Sequence, residues 1–120
     1  MTRTVTMIHF SKYDVVVVQF PFASSSKYKA RPAVVISSHA YNNNRHQTLL
    51  IMAISSQITT KESLEYVITD WEVAGLLKPS LLKASVATIE REVILQRLGT
   101  LSASDAKALD AMLLAMCLEK

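Results

Sequence analysis

The run Asp14-Val15-Val16-Val17-Val18-Gln19-Phe20 constrains this chain more than any other stretch, because four consecutive β-branched residues leave neither side of an extended strand polar. Such a strand needs cover on both faces, and Pro21 ends it. Shorter apolar runs bounded by polar residues follow. After a loop over Ala23 to Ala30, Pro32 to Ser38 reads as a second strand and Thr48 to Ser56 as a third, with the Asn42-Asn43-Asn44 run and Arg45 turning between them. Ser63 to Ile68 reads as an edge strand, with Leu64, Tyr66 and Ile68 on one side and Glu65 and Val67 on the other. Asp70 to Gly75 reads as one or two helical turns, with Asp70 as N-cap and Gly75 as stop. Ser80 to Thr88 and Val93 to Gly99 form two more strands around the charged turn Glu90-Arg91-Glu92.

The last element is a helix over 102–118, capped by Ser102-Ala103-Ser104-Asp105, with Ala106, Leu109, Leu113 and Met116 on its apolar face and Lys107 and Asp110 off it. Residues 1–11 form a lead-in. The expected architecture is mainly β (α+β): a small, strongly bent antiparallel sheet or partly closed barrel with a C-terminal helix. At 120 residues the chain has the length of one domain, 1–120.

Half of the residues are apolar and 19% are charged, which excludes a disordered chain. A net charge of +3 leans weakly towards anionic partners. Cys117 is the only cysteine, so neither an internal disulfide nor a thiolate zinc cluster is expected, and on the final helix it reads as a small buried hydrophobe. Neither a signal peptide nor a membrane span is legible, which points to a soluble protein in the cytoplasm with no membrane partner. The only glycines are Gly75 and Gly99, too few to draw a phosphate-cradling loop for nucleotide hydrolysis.

The stretch with most chemistry is Lys27-Tyr28-Lys29-Ala30-Arg31-Pro32, a basic loop running into an apolar strand. Pro32 fixes its own φ and pushes Arg31 towards an extended conformation, so the guanidinium leaves the backbone at a set angle. A planar fork of donors that keeps its charge suits phosphate, and Lys27 and Lys29 add less directional charge; a solvated basic turn fits the same residues. His39 and His46 have side chains of the right class for proton transfer, and equally for plain surface positions. Tyr28 and Tyr41 could stack on unpaired bases or stand idle at the surface; Trp71 reads as a core plug.

Lys12-Tyr13-Asp14-Val15-Val16-Val17-Val18-Gln19-Phe20-Pro21-Phe22, Lys29-Ala30-Arg31-Pro32-Ala33-Val34-Val35-Ile36-Ser37 and Ala53-Ile54-Ser55-Ser56-Gln57, in that order, resemble the MazF/PemK family of bacterial toxins, in its PemK-like branch. The likeness continues through Asp70-Trp71-Glu72-Val73-Ala74-Gly75-Leu76-Leu77-Lys78-Pro79-Ser80, Ala87-Thr88-Ile89-Glu90 and Arg97-Leu98-Gly99-Thr100-Leu101-Ser102. It implies an SH3-like barrel with a C-terminal helix, usually a homodimer, acting without metal or cofactor as a sequence-selective endoribonuclease on single-stranded mRNA, neutralised by a cognate antitoxin. It also implies cleavage through the 2′-hydroxyl and a catalytic arginine and threonine, whose positions match Arg31 and Ser55. Lys27, Tyr28, Lys29, Ser56 and Gln57 would then contact RNA.

The implied chemistry is physically coherent. In-line attack concentrates charge on the non-bridging phosphate oxygens, where a fixed guanidinium and a hydroxyl donor stabilise it. Ser55 keeps the family's hydroxyl and loses the methyl, so its χ1 is freer. Arginine is a poor base, Ser24-Ser25-Ser26 stands where some relatives carry a glutamate, and no general base is assigned. Tyr13 replaces the family's usual glycine, altering the turn into the first strand or supplying a stacking ring. The alternatives are a catalytically inactive or weak member that only binds RNA or antitoxin, and gyrase inhibition in the manner of the CcdB branch. The ending Met116-Cys117-Leu118-Glu119-Lys120 lacks the aromatic that CcdB-type action would be expected to need.

Overall fold

The valine run becomes a strand covered on both faces. The computed structural model of the protein describes residues 9–21 and 28–118. In chain order the elements are β1 (Asp14–Pro21), β2 (Tyr28–Val35), α1 (His39–Asn42), β3 (Thr48–Ser55), β4 (Tyr66–Val67), β5 (Leu81–Glu90), β6 (Ile94–Thr100) and α2 (Ala103–Cys117), with single 3-10 turns at Ile58–Thr60 and Arg91–Val93. The strands make one six-stranded antiparallel sheet in the order β4-β5-β3-β2-β1-β6. On one face Val15 packs with Val34, Met52, Leu109 and Met112 under α2. On the other Val16 and Val18 pack with Ala33, Val35, Leu49, Ile51 and Phe10. Val15, Val16 and Val18 are fully buried, each burial being worth about 1.5–3 kcal/mol.

Register shifts bend the sheet. The β1–β6 ladder slips between Val15 and Val16 and again between Val17 and Val18. Met52 pairs with Val86 and Ile54 with Leu82, so Lys83, Ala84 and Ser85 of β5 stand against Ala53 alone. Such a bulge increases local twist and re-aims side chains.

Several boundaries differ from those read off the sequence. β2 starts at Tyr28, because Lys29 to Pro32 pair with β1 although Pro32 has no N–H to offer β3; the β2–β3 ladder accordingly stops at Ala33. It ends at Val35 because Ser38 turns to cap α1, its hydroxyl accepting from the Tyr41 amide at 3.2 Å. The edge strand shrinks to Tyr66–Val67.

Over 70–75 a single helical turn forms, closed by the Ala74 amide donating to Asp70 O at 3.2 Å, and it does not extend into a helix. The stop was legible all the same: Gly75 sits at φ +83°, with the Leu76 amide donating to Trp71 O and the Gly75 amide to Glu72 O, both at 3.0 Å, which is the Schellman pattern. A Cβ on Gly75 would lie 2.2 Å from Leu98 O, and one on Gly99 would lie 2.8 Å from Ala74 O, so the turn rests flush on β6. Trp71 packs against the core as expected.

Cys117 is exposed, contrary to the buried position expected. The buried stripe of α2 is Asp105, Leu109 and Met112, and Cys117 falls off it. Tyr13 takes the left-handed region at φ +80°, its ring packs against the core and its hydroxyl donates to Asp110 Oδ2 at 2.7 Å. That makes it a tie to α2 and not a stacking ring.

Candidate functional site

Where β2 and β3 part company, a groove of about 1030 Å³ opens. Ala33 pairs with Ala53, and extending that register by two residues sets Arg31 opposite Ser55. The ladder itself stops at Ala33 and Ala53, and Arg31 and Ser55 line the groove with Pro32, Ala53 and Ile54. The two sequence candidates, distant in the chain, are thus neighbours on one wall. Ser55 Oγ accepts from the Gln57 amide at 3.1 Å. This bond orients the oxygen and leaves the hydroxyl proton to be given away, which offsets the rotameric freedom gained when the methyl is lost.

Ser56 and Gln57 also line the groove, on the turn after β3. Lys29 is exposed on β2 outside this lining, Tyr28 opens β2, and Lys27, like Ser24 to Ser26, lies outside the described residues. His39 opens α1 and His46 is exposed after it, and neither is in the lining. Tyr41 is an exposed residue of α1, also outside it.

The sequence reading missed the opposite wall. Lys78 comes from the loop behind Gly75, Lys83 and Ser85 from the β5 bulge, Gln96 and Leu98 from β6, and Glu62 and Glu65 from the turn entering β4. The bulge that carries Lys83, exposed in the groove lining, leaves no mark on hydrophobic alternation. Glu65 had been placed on the second side of the edge strand, but nothing in the sequence shows that this side is a groove wall. Its side chain is only 8% exposed, and its Oε1 accepts from the Glu62 amide at 3.0 Å, closing the turn whose Glu65 amide donates to Glu62 O at 3.0 Å. The groove therefore carries cations at Arg31, Lys78 and Lys83 and carboxylates at Glu62 and Glu65, a pattern suited to a ligand with both anionic and donor-bearing parts.

This second wall is held from behind by Asp105. Fully buried at the start of α2, its carboxylate accepts from Tyr66 Oη (2.7 Å), the Thr69 and Asp70 amides (3.0 and 2.8 Å) and Ser102 Oγ (3.2 Å). Burial alone would raise its pKa; the Asp70 and Thr69 amides, with the Tyr66 and Ser102 hydroxyls, outweigh that and hold it below the usual aspartate range. Ser102 caps the helix through the Asp105 amide, as the sequence led one to expect.

A second tie lies at the other end. Asp110 accepts from Tyr13 Oη and pairs with Lys12 Nζ at 3.0 Å. Burial works to raise the Asp110 pKa, but the Tyr13 hydroxyl and the Lys12 ammonium bring it below the ordinary value. Among the described residues no helix is long and apolar enough to cross a membrane.

Residues 11–117 match the family model of the PemK-like, MazF-like toxin of type II toxin-antitoxin system. Solved structures share the fold, among them two from mycobacteria. One is an endoribonuclease in complex with its cognate antitoxin from a mycobacterial species, at TM-score 0.72 and 14% identity over 95% of this chain and 99% of that one. The other is the Mycobacterium tuberculosis toxin MazF-mt6, at TM-score 0.67 and 22% identity over 89% and 99%. No curated protein matches the chain.

Proposed function

Because the chain belongs to the PemK-like, MazF-like toxins of type II toxin-antitoxin systems, we propose that its groove is the active site of a metal-independent endoribonuclease. The observation that carries this reading is the placement of Arg31 and Ser55 on one groove wall, opposite each other in extended register. Single-stranded RNA lies along the groove with a phosphate between them. The 2′-oxygen attacks in line, the Arg31 guanidinium and the Ser55 hydroxyl take up the charge that develops on the non-bridging oxygens, and the 5′-oxygen leaves. The products are a 2′,3′-cyclic phosphate and a 5′-hydroxyl. Ser56 and Gln57, on the turn that carries Ser55, hold the strand beside the scissile phosphate, and the basic run Lys27-Tyr28-Lys29 adds contacts to its backbone.

The protein acts in the cytoplasm, with a cognate antitoxin as partner, as in the mycobacterial complex whose fold it shares. An antitoxin segment laid over the groove would compete with RNA for the same cations. Homodimerisation would use the outer face of α2, where Leu114 and Leu118 are exposed.

The test is cleavage of a randomised single-stranded RNA in EDTA. Wild type cuts it; Arg31→Ala loses about 1,000-fold or more and Ser55→Ala about 100-fold, the scale set by loss of a preorganised transition-state donor. Unimpaired cutting by both variants, or none by the wild type, would refute the assignment.

A further inference from the structure

A carboxylate on the wall of a phosphate-binding groove repels the backbone it faces, so its presence needs a reason from another part of the ligand. Glu65 is 8% exposed and lines the groove. The Glu62 amide, at 3.0 Å, is one donor to a group that accepts at about four sites. The same lining carries a complementary charge, Lys83. Tyr66 pairs with Leu82 and Val67 with Leu81, and one further step along this register sets Glu65 across from Lys83. Lys83 is exposed, in the β5 bulge, and also lines the groove. Both a carboxylate and an ammonium are thus offered by one stretch of the groove lining.

Position fits a base. Ser55 pairs with Leu81, which pairs with Val67, so Ser55 and Val67 are two strand spacings apart, about 10 Å. Glu65 lies two residues back along β4, roughly 7 Å. A nucleotide whose phosphate rests at Ser55 spans that gap with its sugar and base.

Resting on the ribonuclease reading above, the geometry points to Glu65 and Lys83 as a guanine-reading pair. Guanine alone among the four bases offers two adjacent donors, N1–H and N2–H, flanked by an acceptor, O6. The carboxylate takes the two donors and the ammonium reaches O6. Adenine and cytosine each set a ring acceptor beside their amine, which meets the second carboxylate oxygen unfavourably, and uracil has one donor between two carbonyls. Single-stranded RNA presents these Watson–Crick edges free.

The test separates base reading from cutting. A randomised 2′-O-methyl RNA pool, which lacks the nucleophile, is selected on the immobilised protein and sequenced, and one enriched oligonucleotide is resynthesised with inosine or 7-deazaguanosine. Wild type enriches guanine at one position, inosine there weakens binding about 5- to 100-fold, and 7-deazaguanosine leaves it unchanged. Glu65→Gln keeps an oxygen for the Glu62 amide but turns a donor towards guanine, and loses the preference at that position while others persist. No guanine enrichment, equal binding of inosine, or an unchanged Glu65→Gln profile overturns the proposal. The inosine arm decides the matter even if Glu65→Gln folds poorly. RNA that is selected in this way but not cut by the wild type in EDTA would refute the nuclease reading and leave the base-reading result standing.

Discussion

Two buried carboxylates flank the short strand β4 and are treated in opposite ways. Asp105 fills its acceptor sites with four donors from Tyr66, Thr69, Asp70 and Ser102, whereas Glu65 has the Glu62 amide as its hydrogen-bond donor among the described residues. A buried charge fully surrounded by donors is a structural joint, and here it locks α2 to the loop that carries the far groove wall. A buried charge with acceptor capacity left over, facing a groove, is costly for the fold and useful to a ligand. The same chemical group is thus saturated with donors on one side of β4 and left with spare acceptor capacity on the other, where the proposed base contact would use it.

The sharpest way to break this contrast is Asp105→Ala. It removes the acceptor of the part-buried Thr69 and Asp70 amides and leaves the Tyr66 hydroxyl with Thr69 Oγ1 alone, and is expected to cost about 2–4 kcal/mol, since each orphaned donor costs about 1–3 kcal/mol and the losses overlap. For a chain of this length that lowers Tm by about 10–20 °C in thermal unfolding followed by circular dichroism. Glu65→Gln and Arg31→Ala should move Tm by no more than about 2 °C while removing base preference and cleavage respectively. A large Tm loss in Glu65→Gln would make Glu65 a second joint and dissolve the distinction.

Gly75→Ala probes the place where joint and groove meet, because Gly75 closes the turn packed on β6 and also lines the groove. At φ +83°, with Leu98 O 2.2 Å from the added Cβ, the backbone must shift. The expected cost is about 2–3 kcal/mol, accompanied by a fall in cleavage. Stability lost with full activity retained would show that the wall tolerates displacement.

Much of this was readable beforehand. The four valines required a strand covered on both sides, and β1 is one; Ser102 and Gly75 announced a cap and a stop, and both perform those tasks. Arg31 and Ser55 could be picked out by resemblance, and both line the one groove, where their role is a proposal. What escaped was long-range. Asp105 looked like part of a capping stretch, and only the fold brings Tyr66 and the 69–70 amides onto it. Lys83 was hidden by a bulge that exists only because three residues of β5 face one of β3. Cys117 was misplaced because apolar residues surround α2 almost evenly, so periodicity could not fix which stripe turns inward.

The smallest expected effect concerns the other tie. Tyr13→Phe removes one hydrogen bond to Asp110, whose side chain is 45% exposed, so solvent screening limits the loss to about 0.5–1 kcal/mol at pH 7. The sign of its pH dependence follows from the depressed pKa of Asp110. A carboxylate held lower in the folded state than in the unfolded chain contributes fully above about pH 5, and that contribution fades as pH falls through its folded-state value, below the ordinary value of about 4. Without the Tyr13 donor the Asp110 pKa moves back up, so less is left to lose on acidification. The gap in stability between Tyr13→Phe and wild type should therefore narrow from pH 7 to pH 3 in urea unfolding. Asp105, whose donors are untouched, loses its share in both proteins alike. A gap of constant size would mean that Tyr13 acts through its ring packing and that its hydroxyl adds nothing to the hold of Asp110 on the segment before β1.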